Sequence, residues 1–353
     1  MQPIRVLIVD DSAVIRRMLS ETLASDLEIE IAGVASSGQV SLERISELKP
    51  DLVTLDVEMP GMDGIATLVE IRKRFPRLPV IMFSSLTAPA ATATLEALAR
   101  GASDYVTKPN SSQNGYELVR NELLPKIKAL CNRFTPSDHA APAPIAAGPS
   151  LHARVDLIAI GASTGGPNAL VKLIPAFPAD FRVPILVVQH MPPMFTSLLS
   201  VRLDGLSKLS VQEAKDGERL EQGHVLVAPG DYHMVVASEG RERKIALNKD
   251  SPENSCRPSV DSLFRSVAAC FGSHVLAVVL TGMGSDGTRG AEAIRRAGGS
   301  VIVQDESSSV VWGMPGSIVS AGLADKTCPL EGIAAEILSR TEARKVAAGF
   351  RHD

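Results

Sequence analysis

The feature that most constrains this chain is an apolar run that breaks into glycines around a single serine. Val155, Leu157, Ile158, Ala159 and Ile160 lead into Gly161-Ala162-Ser163-Thr164-Gly165-Gly166-Pro167. An apolar helical period follows at once through Ala169, Leu170, Val171, Leu173 and Ile174. A buried strand that bends sharply into a helix lifts the residue at the bend above the carboxyl edge of a parallel sheet. Gly161 and Gly165 permit the bend and fit the G-x-S-x-G pattern of a nucleophile elbow. Similar turns start helices or cradle phosphates in α/β proteins without a nucleophile. The meaning of Ser163 therefore rests on the residues that share its surroundings.

The chain has 353 residues, enough for two domains. Its first third alternates β-branched runs with helical periods. Strands are expected over 4–9, 29–35, 52–55, 80–83 and 105–106. Helices are expected from the Ser12 cap through Leu23, around 40–48, and over 65–74, 90–100 and 116–133. Five such pairs predict a parallel, doubly wound sheet with right-handed crossovers. Asp10 and Asp11 end the first strand, Asp56 the third, Ser84 the fourth and Lys108 the fifth. In an open α/β sheet these ends converge on one crevice. Crowded carboxylates repel one another unless a hard dication joins them, and Mg²⁺ suits oxygen ligands. Lys108 and Ser84 could meet an incoming phosphoryl group, with Asp56 as its nucleophilic acceptor. One carboxylate after a strand is often just a helix cap. Five suitable residues at four strand ends make that reading insufficient.

Residues 134–151 contain Pro136, Pro142, Pro144 and Pro149 among alanines and read as a tether. Beyond them a second doubly wound domain is expected over 152–346, with a tail at 347–353. Its main strands are expected at 183–189, 275–280 and 300–303. Shorter runs at 211–214, 225–228, 234–237 and 244–247 suggest a small β insertion at an edge. Helices are expected over 194–203, 258–271, 290–297 and 330–346. Ser163, His190 and Asp286 each follow an apolar strand. If those strands are neighbours, the three side chains can act as nucleophile, base and orienter. Backbone N–H groups of loop 281–284 and of Thr164 could bind an oxyanion. His224, His233 and His274 are competing bases, His233 foremost; His190 is preferred because its strand is expected to be the most buried and ends where the elbow does. The order Ser, His, Asp is not the Ser, Asp, His order of α/β-hydrolases.

Two resemblances gather these motifs. Residues 1–133 resemble a response-regulator receiver domain through Leu7-Ile8-Val9-Asp10-Asp11-Ser12, Leu55-Asp56-Val57-Glu58-Met59-Pro60-Gly61-Met62-Asp63-Gly64 and Thr107-Lys108-Pro109. The resemblance implies phosphorylation of Asp56, with Asp10, Asp11, Asp56 and the Glu58 carbonyl around Mg²⁺. It further implies Lys108 on the phosphate, Ser84 and Tyr105 as switch residues, and a cis Lys108–Pro109 bond. The second domain resembles the chemotaxis methylesterase CheB family. The matching motifs are Ile160–Pro167 in full, Val188-Gln189-His190-Met191, Val227-Ala228-Pro229-Gly230, Tyr232-His233-Met234, Arg257-Pro258-Ser259-Val260-Asp261, Leu280-Thr281-Gly282-Met283-Gly284-Ser285-Asp286-Gly287 and Gly313-Met314-Pro315. Trp312 stands where that family carries a tyrosine. The resemblance implies two doubly wound parallel-sheet α/β domains, a flavodoxin-like receiver and a Rossmann-like methylesterase domain. It implies hydrolysis of glutamate methyl esters, and deamidation of glutamines, on chemoreceptor cytoplasmic helices. The implied roles are Ser163 as nucleophile, His190 as base, Asp286 as orienter and the Met283 N–H as oxyanion donor, with no cofactor there. A chemotaxis histidine kinase would be the phosphodonor, and the unphosphorylated receiver would cover the esterase cleft.

Composition narrows the alternatives. A net charge of −4 leaves no footprint for nucleic acid. The second domain is too large and too little basic for a transcriptional output. The glycine turn lacks the Gly-Lys-Ser/Thr end of a phosphate loop, which argues against a nucleotide-binding output. Four scattered cysteines suggest neither zinc nor a disulfide framework. No apolar run approaches the roughly 20 residues of a membrane span. A cytoplasmic monomer without membrane insertion is expected.

Overall fold

The computed structural model describes residues 2–109, 115–117, 119–131, 154–240 and 242–348. The chain divides into two compact units, Met1–Thr135 and Pro136–Asp353. The expected tether at 134–151 lies outside the described residues, as does most of the expected tail.

The first unit holds β1 (Ile4–Val9), β2 (Ile29–Ala35), β3 (Leu52–Asp56), β4 (Val80–Ser84) and β5 (Asp104–Thr107). They form a parallel sheet in the order β2-β1-β3-β4-β5. Helices α1 (Ala13–Leu23), α2 (Gly38–Leu48), α3 (Gly64–Arg74) and α4 (Ala88–Ala99) are capped by Ser12, Ser37, Asp63 and Thr87, each accepting from a first-turn N–H. The last helix departs from the simple period. Residues Val119–Leu123 are wound as a π-helix before α5 (Leu124–Leu130). Pro125 stands at the start of α5 and cannot donate a backbone hydrogen bond, which suits an irregular turn before it. Val119, Leu123 and Ile127 still reach the core beside Val6, Ile81 and Phe83. The cis peptide bond among the described residues is Arg257–Pro258, not Lys108–Pro109. Proline lowers the preference for trans without abolishing it.

The second unit is built on seven strands: β6 (Leu157–Ala162), β7 (Ile185–Gln189), β8 (Ser210–Glu213), β9 (His224–Val227), β12 (Val275–Val279), β13 (Ser300–Gln304) and β14 (Lys326–Cys328). Their order is β14-β13-β12-β6-β7-β9-β8 and every pairing is parallel. Thus β8 and β9 extend the main sheet. Only β10 (His233–Glu239) and β11 (Glu242–Asn248) make the separate hairpin expected of an insertion. Helices α6 (Gly166–Leu173), α7 (Pro193–Leu206), α8 (Val260–Phe271), α9 (Thr288–Arg296), α10 (Gly313–Ser320) and α11 (Leu330–Ala348) complete the unit. Leu157, Val188, Phe264, Val279 and Met314 share its buried core. Burying a side chain the size of Phe264 contributes about 2–3 kcal/mol. Among the described residues no helix is long and apolar enough to cross a membrane.

Candidate active site

The sheet order makes β12, β6 and β7 neighbours, so the residues after their carboxyl ends meet. Ser163 follows β6, His190 follows β7 and Asp286 lies beyond β12. The bend at Ser163 is held by its own N–H to the Thr281 carbonyl at 3.1 Å and by Gly166 N–H to its carbonyl at 2.7 Å. Gly165 has φ +77°, a left-handed conformation that favours glycine. Gly282 leaves room for the serine, because a Cβ there would lie 2.9 Å from Ser163 Cβ. Gln189 is buried, and its Nε2 donates to the Ser163 carbonyl at 3.0 Å and to the His190 carbonyl at 3.3 Å. One amide therefore ties both turns together.

Asp286 is 2% exposed and collects six donors. Its Oδ2 accepts from His190 Nε2 and Val260 N–H, both at 2.8 Å. Its Oδ1 accepts from Asn254 Nδ2 at 3.0 Å, Ser259 Oγ at 2.9 Å, Asp261 N–H at 3.1 Å and Gly287 N–H at 3.0 Å. Val260 and Asp261 open α8, so a helix N-terminus faces the carboxylate. Burial pushes the Asp286 carboxyl up, but His190 and these N–H groups outweigh it and bring it down to about 2. Asp261 behind it is pushed up to about 6 by burial and by the Asp286 charge.

His190 turns Nε2 to Asp286, so Nδ1 is its remaining ring nitrogen. Cys256 Sγ lies 3.5 Å from that Nδ1. Among the described residues no hydrogen bond joins Ser163 Oγ to His190. Burial lowers the imidazole, yet Cys256 and Asp286 raise it to about 10. Among the described residues no hydrogen bond from the Met283 N–H is found, and the residue is half-buried. His233 is elsewhere: it is buried, its Nδ1 accepts from the Ser259 N–H at 3.3 Å, and its Nε2 meets the Ser251 carbonyl at 3.2 Å. His224 and His274 pair with Glu221 and Asp156. Sequence reasoning missed Cys256, Asn254 and the support from α8. The Ser259 cap ahead of an apolar helix was the available signal.

His190, Cys256 and Asp286 bring donor atoms within 4.8 Å of one another, but six hydrogen bonds already occupy the Asp286 oxygens. The carboxylates of Asp10, Asp11 and Asp56 likewise gather within 4.8 Å in the first unit. Lys108 Nζ lies 3.0 Å from Asp10 Oδ2 and 2.8 Å from Asp56 Oδ2, yet neither oxygen accepts an aligned hydrogen bond. These hard, buried and incompletely satisfied oxygens fit Mg²⁺. Burial pushes Asp56 up to about 6, with Asp10 adding to it and Lys108 opposing. The Glu58 N–H donates to Asp56 Oδ1 at 3.1 Å, while its side chain accepts from Ser85 Oγ. Ser84 Oγ is turned toward the Ala90 carbonyl and accepts from Thr94 Oγ1 at 2.7 Å. Tyr105 is buried, with Lys126 Nζ 5.2 Å from its ring centroid and also paired with Asp104.

Residues 158–337 match the family model described as CheB methylesterase, and residues 6–120 match Response regulator receiver domain. A protein-glutamate methylesterase/protein-glutamine glutaminase of Trichodesmium erythraeum is 48% identical over 350 residues, covering 96% of this chain and 99% of its own. A protein of the same description from Pyrococcus horikoshii is 42% identical over 347 residues, covering 96% and 94%. Among solved structures, the Thermotoga maritima CheB methylesterase catalytic domain is similar with 42% identity and a TM-score of 0.52, over 53% of this chain and 99% of that one.

Proposed function

Because this chain belongs to the CheB methylesterase family and carries a response-regulator receiver, we propose that it demethylates and deamidates chemoreceptor glutamyl side chains by a Ser163-His190-Asp286 acyl-enzyme mechanism. The convergence of three adjacent strand ends on His190 and Asp286, 2.8 Å apart, is the observation that carries this reading. Ser163 Oγ attacks the ester carbon while His190 takes its proton at Nδ1. Asp286, fixed by six donors, holds the ring and stabilises the imidazolium. The Met283 N–H takes the negative charge that grows on the carbonyl oxygen. The tetrahedral adduct then expels methanol, or ammonia from a glutamine, with the proton returned by His190. Water attacks the glutamyl-serine ester with His190 again as base and releases the carboxylate.

The receiver restrains this reaction until Asp56 is phosphorylated by a chemotaxis histidine kinase. Asp10, Asp11, Asp56 and the Glu58 carbonyl would hold Mg²⁺, which supplies charge neutralisation for phosphoryl transfer. Lys108 stands between Asp10 and Asp56, where it meets the negative charge of the acyl phosphate. Ser84 and Tyr105 are the switch pair, and both are inward in this state. The test is methanol release from isolated methylated receptor, with and without acetyl phosphate. Ser163→Ala should release none above background while its receiver still takes up phosphate. Undiminished release by that variant would refute the assignment.

A further inference from the structure

Cys256 has no part in the mechanism above, yet it holds the atom of His190 that the mechanism needs. It closes a tight turn in which Glu253 N–H donates to the Cys256 carbonyl at 3.1 Å and Cys256 N–H to the Glu253 carbonyl at 2.8 Å. The two central residues, Asn254 and Ser255, have φ of +51° and +62°, the left-handed pair of a type I′ turn. Serine is a costly choice there, so packing around the turn must hold it. The Asn254 amide supplies that hold, donating at 3.0 Å to both Asp261 Oδ2 and Asp286 Oδ1. The same turn thus braces the orienting acid and sets Cys256 Sγ 3.5 Å from His190 Nδ1.

We propose that Cys256 is a positioning residue for this reaction, a thiol that competes with Ser163 for the imidazole of His190 and releases it by turning to the Asn254 carbonyl. The inference rests on the reading of Ser163 as nucleophile and His190 as its base. A neutral thiol donates to Nδ1, and a thiolate accepts from a protonated Nδ1. Either way the nitrogen lone pair is withheld from Ser163. The Asn254 carbonyl, 3.4 Å from Sγ, offers the S–H a second acceptor and so a way to let the ring go. The titratable groups facing His190 are few. Asp286 comes from beyond β12 and Cys256 from the turn, with Asp261 behind Asp286 and His233 beyond Ser259. Segments 161–167, 189–194 and 281–284 carry none besides His190 itself.

The test is the rate at which a fluorophosphonate probe labels the active-site serine of the full chain, measured against pH with acetyl phosphate and magnesium present. Cys256→Ala should raise the plateau of the labelling profile roughly tenfold, because nothing then competes with Ser163 for Nδ1. Cys256→Ser should keep a plateau near the parent's and below that of Cys256→Ala, because its hydroxyl still bonds Nδ1. Cys256→Val removes the same donor and serves if Cys256→Ala does not fold. A plateau no higher than the parent's, in a Cys256→Ala or Cys256→Val protein that melts like the parent, overturns the proposal. Labelling of Ser163→Ala at the parent rate would instead overturn the reading of Ser163, which keeps the two failures distinct.

Discussion

Replacing Asp286 by asparagine is nearly isosteric, so the structure gives a clear expectation for its cost. An amide keeps one acceptor oxygen and substitutes an NH₂ for the other. With the oxygen left on the Oδ1 side, the NH₂ faces the Val260 N–H and His190 Nε2, each formerly 2.8 Å from an acceptor. The opposite flip is worse, because it confronts four donors. A buried donor left without an acceptor costs about 1–3 kcal/mol. Val260 therefore contributes about that much, and His190 a similar amount unless its ring changes tautomer. That change puts the proton on Nδ1, where the base must be bare, and a wrong tautomer costs roughly 10⁴ in turnover. The acid also adds a pH signature. Its folded pKa of about 2 lies below the ordinary 3.8, so its ionised form stabilises the fold above that ordinary value and the gain fades as pH falls through about 2. The full gain is about 2 kcal/mol. Urea unfolding followed by Trp312, the chain's single tryptophan, reads this unit, because its indole N–H donates to the Gln304 carbonyl at 3.0 Å. The variant should unfold at lower urea than the parent at pH 7, and the gap should narrow toward pH 2. Equal midpoints at pH 7, or a gap unchanged down to pH 2, would refute the account of Asp286.

Two further outcomes are expected. Gly282→Ala places a Cβ 2.4 Å from Met314 Sδ and 2.9 Å from Ser163 Cβ. The methionine end can move aside but the serine turn cannot, so methanol release should fall about 100-fold for a misplaced nucleophile, with a stability loss of only about 1–3 kcal/mol; parent-like turnover would show that the turn yields. Asp56→Ala should keep basal hydrolysis and lose stimulation by acetyl phosphate, and stimulation equal to the parent's would remove the receiver from the regulation.

Much of this site could be read from the chain because strand ends are local signals. The β-branched runs before Asp10, Asp56, Ser163 and His190 each mark where a parallel strand stops, and one sheet edge gathers whatever stops there. The period failed where backbone chemistry overrides it. Gly313-Met314-Pro315-Gly316 opens α10 without an apolar rhythm, and the π-helix at Val119–Leu123 shifts a face that sequence spacing assigns to an α-helix. The runs that became β8 and β9 were too short to reveal that they join the main sheet. Cys256 and Asn254 could not be found by pattern. Their meaning depends on contacts to residues 66 and 32 positions away in the chain, made by a turn with a left-handed serine.

The position of β6 within its sheet has a consequence of its own. With β12 and β7 beside it and two more strands outside each of these, its amides should be the slowest in the sheet to exchange with solvent. The three-residue β14 and four-residue β8 at the margins can fray, lengthen or be replaced without disturbing the register that aligns the reacting groups. Deuterium uptake should therefore climb outward from the middle of the sheet, and variation among descendants of this chain has its freest ground at the two borders.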